Sequence, residues 1–255
     1  MMNNQQKIAL ITGASRGLGK NTALSLAKKG VDAIVTYHSN QEEANSVVSA
    51  IAEIGAKAVA LQLDTSDTKT FDGFVEQLKQ SLQAKWQSEH FDFLVNNAGT
   101  GIYKPFAETT EEDFDQLMNI HFKGVFFLTQ KLLPLINDGG RIVNISSGLA
   151  RFALPGSSAY ASMKGAIEVL SRYMAKELGH RQIAVNVVAP GAIATDFGGG
   201  RVRDNLEMNK MIASSTALGR VGVPDDIGGA IASLLSDENR WINGQRIEIS
   251  GGVFL

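Results

Sequence analysis

Short apolar runs recur along the chain at 8–11, 33–36, 58–63, 91–95, 141–145, 184–188 and 246–249. Several are apolar at all or all but one position instead of alternating, as expected of strands covered on both faces. Between them lie stretches in which apolar residues return at a helical period: 17–29, 42–54, 111–135, 158–178 and 225–235. Leu18, Ala23, Leu24, Leu26 and Ala27 make the apolar stripe of the first. The second follows Asn40-Gln41-Glu42-Glu43, which reads as a capping box with Glu43 reaching back, and the last follows Pro224, a helix-start residue. Strand–helix alternation of this kind builds βαβ units, so the pattern predicts a doubly wound α/β architecture, one parallel sheet of about seven strands with helices on both faces. No linker, repeat or low-complexity tract divides the chain, and residues 1–255 are expected to form one domain. The least patterned stretch, 192–217, carries Gly198-Gly199-Gly200 and reads as a substrate lid.

Composition narrows the classes of function. The 255 residues are 44% hydrophobic and 20% charged, ordinary values for a globular protein. With no cysteine, the chain can form neither disulfides nor thiolate metal sites and has no cysteine nucleophile. A net charge of −2 offers no footprint for nucleic acid or an anionic membrane. The start, Met1 to Lys7, lacks the basic and apolar regions of a signal peptide, and no apolar run is long enough to span a bilayer. A cytoplasmic protein without nucleic-acid or membrane partners is expected. His38, His90, His121 and His180 show no metal-ligand spacing, so they are expected at the surface and no metal site is expected.

The first strand runs straight into Thr12-Gly13-Ala14-Ser15-Arg16-Gly17-Leu18-Gly19, and a helix pattern follows at once. Gly13, Gly17 and Gly19 permit a tight turn, close backbone approach to a ligand and close helix–strand packing. The helix start then offers free N–H groups and a positive dipole end to a pyrophosphate, as in Rossmann-type folds. The spacing is G-x-x-x-G-x-G rather than the commoner G-x-G-x-x-G. Downstream, Tyr160 and Lys164 are four apart in a helical stretch and share a face. A free tyrosine has a pKa of about 10, and a neighbouring ammonium favours the phenolate, tuning Tyr160 toward general acid–base work. Ser147 lies just past a strand, where its hydroxyl can stabilise charge developing on a substrate oxygen.

Thr12–Gly19, Asp64, Asn96-Asn97-Ala98-Gly99, Asn119, Ser147, Tyr160-Ala161-Ser162-Met163-Lys164 and Pro190-Gly191 occur in that order over nearly the whole chain. In this the chain resembles the short-chain dehydrogenase/reductase superfamily, most closely its 3-oxoacyl carrier-protein reductase and ketone reductase branch. It departs at Asn243-Gly244 and at Ser250-Gly251-Gly252, and the 84–90 connection looks a few residues long. The resemblance implies a catalytic set of Asn119, Ser147, Tyr160 and Lys164, with Asn119 anchoring a water-linked proton relay and Lys164 also contacting the nicotinamide ribose. It further implies cofactor contacts from Gly13, Ser15, Arg16, Gly17, Leu18 and Gly19, from His38, Ser39, Asp64 and Thr65, and from Asn97, Ala98 and Gly99. Tyr160, Pro190, Gly191, Ile193 and Thr195 complete that set. Asp64 would meet the adenine and Asn97 and Gly99 the adenosine ribose, although Asn-Ala-Gly is also a plain turn and Asp64 a plain helix cap.

An NAD site usually places an acid about 20 residues beyond the glycine turn. Here Tyr37-His38-Ser39-Asn40 contains none, whereas Arg16 supplies a cation for a 2′-phosphate, so NADP(H) is expected, with NAD(H) the alternative. The expected activity is reduction of a ketone to a secondary alcohol with Tyr160 as acid/base, on hydrophobic ketones or 3-oxoacyl groups. Leu149, Phe152 and Phe197 are the candidate substrate contacts, while Arg151, Arg201 and Arg203 offer a site for an acyl carrier's phosphate. The alternatives are an alcohol or sugar dehydrogenase working oxidatively and a non-catalytic cofactor-sensing relative. By the same resemblance, the two long helices pair between subunits in a homotetramer.

Overall fold

The computed structural model describes residues 6–255, so most of the start-of-chain reading, on residues 1–7, lies outside the described residues. Seven strands form one parallel sheet in the order β3-β2-β1-β4-β5-β6-β7. They are β1 (Ile8–Ile11), β2 (Asp32–Tyr37), β3 (Ala58–Gln62), β4 (Phe91–Asn96), β5 (Ile136–Ile145), β6 (Ala184–Pro190) and β7 (Arg246–Ile249). Every residue of β1, β2, β4 and β6 is buried, which is why these runs read as mostly apolar instead of alternating. Helices α1 (Gly17–Ala27), α2 (Gln41–Glu53) and α9 (Pro224–Leu234) cover one face, where Ala23, Leu26, Val47, Ile51, Ile227 and Ile231 join Ile11, Val35 and Val95 in one core. Helices α3 (Phe71–Trp86), α5 (Gly124–Leu132) and α6 (Ser158–Glu177) cover the other, around Phe71, Leu78, Leu82, Leu128 and Leu132. Each such side chain contributes about 1.5–3 kcal/mol by leaving water.

Helix α3 is not among the five expected from periodicity, although Phe71, Phe74, Leu78 and Leu82 give it a buried stripe. Its polar outer face and its lack of a strong start signal hide that stripe, since Thr70 caps it without a side-chain bond. The stretch 111–135 is not one helix. It divides into α4 (Glu111–Met118), a π-helical turn (Asn119–Lys123) and α5, and ends in a 3₁₀ turn at Pro134. At α2 only half of the capping box forms, with Asn40 accepting from Glu43 N at 3.1 Å. The stretch 192–217 is more ordered than its pattern implies, holding α7 (Arg201–Asp204) and α8 (Leu206–Ser214).

Polar groups inside the sheet are paired. Asn96 donates to Asn144 at 2.8 Å and to Thr129 at 3.0 Å, and Asn144 donates to Ser171 at 2.8 Å. This chain ties β4 and β5 to α5 and α6, and buried networks of this kind hold a core in one register when fully satisfied. Among the described residues, no helix is long and apolar enough to cross a membrane. The strand order reverses between β1 and β4, and the carboxyl ends there form the crevice where such sheets bind ligands. Thr12–Gly19 leaves β1 at that edge, Asn97–Gly99 leaves β4, Ser147 follows β5 and Gly191 follows β6.

Candidate active site

The glycine turn is locked from beneath. Thr12 Oγ1 accepts from Asn97 N at 2.9 Å and Ala98 N at 3.0 Å, and Asn97 Nδ2 donates to Thr12 O at 2.9 Å and Gly13 O at 3.1 Å. Asn97 thus holds the turn's backbone. Gly13 and Gly17 adopt φ of +62° and +56°, a region that favours glycine. A Cβ at Gly19 would lie 2.5 Å from Gly13 O, 2.6 Å from Asn97 Nδ2 and 2.8 Å from Ala14 Cα. Gly17 faces open space, its nearest neighbour being Asp196 Oδ1 at 3.9 Å. Unlike α2 and α4, helix α1 has neither a side-chain cap nor an acid in its first turn, so its leading N–H groups point free into that space. Glycines a Cβ would not fit and an uncapped helix start suit a pyrophosphate. Gly19→Ala should cost about 1–3 kcal/mol through overpacking against fixed backbone. Chemical denaturation should register that loss, and fluorescence titration a weaker dinucleotide affinity.

Around this turn the expected cofactor residues fall into two groups. His38 and Ser39 stand exposed at the end of β2, and His38 Nε2 lies 3.5 Å from Asp64 Oδ2. Burial works against ionisation of Asp64, but hydrogen bonds from Ser66 N and Oγ and the charge of His38 outweigh it and hold the carboxyl below its ordinary value. The Thr65 carbonyl packs so closely on α5 that only Gly124 fits opposite it. Arg16 forms an ion pair with Asp196 from the 192–217 stretch, and the partly buried Ser15 and Leu18 flank it in the turn. On the other side, Gly191 donates to Ile249 O at 3.0 Å at the end of Pro190, Ile193 bridges to Gly222, and Thr195 Oγ1 accepts from Phe197 N at 3.2 Å.

Tyr160 and Lys164 lie on the buried face of α6 as their spacing predicts. Lys164 Nζ donates to Ile145 O at 2.8 Å and stands 5.6 Å from the Tyr160 ring centre. Ser147 caps a 3₁₀ turn, Gly148–Ala150, its hydroxyl accepting from Leu149 N at 3.2 Å. Burial pushes Tyr160 well above the usual phenol value, Tyr103 adds to this, and the Ser147 hydroxyl works the other way. Burial lowers Lys164 to about 7. The expected depression of Tyr160 by its lysine is therefore not found in the protein by itself: burial disfavours the phenolate of Tyr160, and it disfavours the ammonium of Lys164 as well.

Two aromatic rings and an apolar wall flank Tyr160. Phe197 lies 6.0 Å from it and Tyr103 6.5 Å, and Leu149 belongs to the same cluster as Met163. The Arg201 guanidinium stacks over Tyr103 at 5.5 Å. Phe152 does not join them, packing at 4.7 Å on Phe254 and against Gly148. Asn119 is partly exposed in the π turn, its carbonyl accepting from Gly124 N.

Sequence reasoning missed Tyr103 and misplaced His121. His121 is buried, with its ring edge-on to Tyr160 at 5.1 Å. It lies on the buried stripe Leu117, His121, Gly124, Leu128, Leu132, and that periodicity was the signal for an inward position. Tyr103 follows Gly101 in a loop without periodicity and carried no such signal.

A β1-to-α1 glycine turn at the switch point of a parallel sheet, with Ser147 and the buried Tyr160 and Lys164 beside it, defines the class: a dinucleotide-dependent oxidoreductase fold. The family described as enoyl-(acyl carrier protein) reductase matches residues 13–254. The hydroxynaphthalene reductase-like protein Arp2 of Metarhizium brunneum is 39% identical over 257 residues, covering 96% of this chain and 94% of the relative. The promiscuous reductase LugOII, which catalyses keto-reduction at C1 during lugdunomycin biosynthesis, superposes with a TM-score of 0.93 at 38% identity, over 99% of this chain and 100% of its own. The landomycin C-6 ketoreductase LanV, solved with NADP and rabelomycin, superposes at 0.89 and 35% identity, over 99% and 98%. The chain belongs to the short-chain dehydrogenase/reductase superfamily, in its ketone reductase branch, and is an NAD(P)-dependent oxidoreductase by family.

Proposed function

We propose that the protein uses NADPH to reduce a hydrophobic, ring-bearing ketone to a secondary alcohol, with Tyr160 as proton donor. The observation that carries this reading is the buried Tyr160–Lys164 pair, with the half-buried Ser147 beside it and the Tyr103 and Phe197 rings around Tyr160. The named activities of Arp2, LugOII and LanV support it, as does the NADP held by LanV. When bound, the reduced nicotinamide supplies the hydride. The uncapped start of α1 would hold the pyrophosphate, and Lys164 the nicotinamide ribose. Arg16, with His38 and Ser39 across the crevice, would meet the 2′-phosphate once it exchanges Asp196 for it. Ser147 would donate to the carbonyl oxygen, and Tyr160, kept protonated by burial, is in the form a reduction needs. The stretch 192–217 would act as a lid, tied at its ends by the Ile193–Gly222 and Thr216–Val253 bridges, with three left-handed glycines between them.

The arginines speak against an acyl carrier. Arg151 makes a two-pronged pair with Glu248 and also donates to the Val253 and Phe254 carbonyls, and Arg203 pairs with Asp204. The tilted aromatic rings around Tyr160 suit fused rings better than a sugar. The test follows NADPH absorbance with a fused-ring aromatic ketone, a 3-oxoacyl thioester and a ketose. The highest kcat/KM is expected for the aromatic ketone, with NADPH preferred over NADH and Arg16→Ala eroding that preference. A preference for the ketose, or for NADH, would refute the reading.

Assembly is part of the same proposal. Met163 and Ile167 turn out to be buried within their own subunit, and the unpartnered apolar residues on α5 and α6 are Phe126, Phe127, Val169 and Tyr173. This face would pair the helices between subunits in a homotetramer, each chain being 27.3 kDa. Light scattering should report four chains at micromolar concentration, and a stable monomer would contradict the proposal.

A further inference from the structure

The outermost strand of the sheet, β7, carries Arg246 and Glu248 at alternate positions and therefore on one face. The Arg246 guanidinium spreads over acceptors from three parts of the chain. Its Nε donates to Glu168 Oε1 of α6 at 2.7 Å, Nη1 to Glu248 Oε2 at 2.8 Å, and Nη2 to the Ser147 carbonyl at 3.3 Å. Arg151 grips Glu248 from the other side with both prongs at 2.9 Å. The side chains of Glu168, Glu248 and Arg246 are only 14%, 21% and 23% exposed. Burial works against ionisation of Glu248, but hydrogen bonds from Arg151, Arg246 and Ser250 outweigh it and hold the carboxyl at about 2, so this carboxylate stays charged between its arginines through the neutral range.

The chain of charges ends on the segment that delivers Ser147, and each residue leading out of β5 there has its own holder. Ile145 O accepts from Lys164 Nζ at 2.8 Å, and Ser146 Oγ donates to Glu168 Oε1 at 2.7 Å. Ser147 O accepts from Ala150 N at 3.1 Å, closing the 3₁₀ turn, and from Arg246, so both of its lone pairs are used. The Ser147 hydroxyl accepts from Leu149 N, which leaves its own proton free for a substrate oxygen. Where that proton points depends on how the Ser147 backbone is held, and the side chain that holds its carbonyl is Arg246. Stability alone accounts poorly for the cluster, because charges taken from water lose hydration and an apolar set of the same volume often packs as well. Charges that only kept another chain off the β7 edge would need no bond to Ser147.

We propose that Arg246 is a positioning residue for the reduction: through the Ser147 carbonyl it fixes the direction in which the Ser147 hydroxyl meets the substrate oxygen, while Glu168 and Glu248 hold its guanidinium in place. The inference rests on the ketone-reductase reading. Arg246 itself takes no part in proton or hydride transfer. Its contribution is the planar fork, which lysine cannot copy, because an ammonium is a point charge without fixed, coplanar N–H directions.

Arg246→Lys therefore keeps a cation between the two carboxylates and loses the fork. It should lower kcat about 10–100-fold, as misplacing a reacting group by up to about 1 Å does. NADPH affinity, read by fluorescence titration, should stay within about twofold, because the glycine turn shares no partner with Arg246. In a Ser147→Ala background the same substitution should cost less than about threefold, since residues that act as a unit are not additive. An undiminished loss in that background would overturn the inference, as would a Lys variant with wild-type kcat. Hydrogen exchange reads the claim without turnover: the amides of 149–151 should exchange at least about tenfold faster in Arg246→Lys, while those of 13–19 keep wild-type rates. Unchanged rates at 149–151, or a rise throughout the molecule, would overturn it. Turnover of the aromatic ketone by the wild-type protein reports separately on the ketone-reductase reading, and if that fails the exchange rates still decide whether Arg246 holds Ser147.

Discussion

Tyr160→Phe is expected to lower kcat by about 10²–10⁴, the range that follows loss of a general acid, while the protein stays folded. The ring is buried in a cluster with Leu117 and Met163, and Phe preserves that packing and the edge contact with His121. What disappears is the hydroxyl, the proposed proton source. Cofactor affinity should change little, because the turn, the start of α1 and Lys164 remain. The burial that raises the phenol also predicts a sign. Ketone reduction needs the protonated form and should persist well into alkaline pH, whereas alcohol oxidation needs the phenolate and should rise with pH. Stopped-flow measurement of both directions checks this. A Phe variant within about fivefold of wild-type turnover would remove Tyr160 from the acid role.

Lys164→Met should abolish most turnover and, in the same protein, erase part of the pH dependence of folding. Burial lowers Lys164 to about 7 in the folded chain, whereas an unfolded lysine holds its proton to about pH 10. Between those values the unfolded state binds the extra proton, so stability rises with pH by about 1 kcal/mol per pH unit from this group. Below pH 7 both states are protonated and the dependence ends. Urea denaturation at pH 7, 8 and 9 should show the wild-type slope exceeding that of the Met variant by about this amount. Met fills the volume of the lysine stem but leaves the Ile145 carbonyl without its donor, so absolute stability is a poorer readout than the slope. Identical slopes would mean that Lys164 stays charged in the folded protein.

What the sequence by itself determined is what local chemistry encodes. The run at 8–11 is continuously apolar, and 184–188 is so at all but Asn186, because helices bury both faces of a parallel sheet, and no distant contact is needed to read that. Gly13, Gly17 and Gly19 announced their turn because a left-handed φ or a missing Cβ is a property of the residue itself. Tyr160 and Lys164 share a face because four residues make about one helical turn. Other features were set only by tertiary structure. Arg16 meets Asp196 from across the crevice, and Arg151 is taken by Glu248 and the last carbonyls of the chain, so neither partner could be read from spacing. The pKa directions of Tyr160 and Lys164 are opposite to those that proximity alone would give the phenol, because desolvation depends on everything packed around a group and not on its neighbours in the chain. His121 falls between the two cases. Its period placed it inward on the stripe with Leu117 and Leu128, but only the folded molecule brings α6 and the Thr100 carbonyl to either side of its ring.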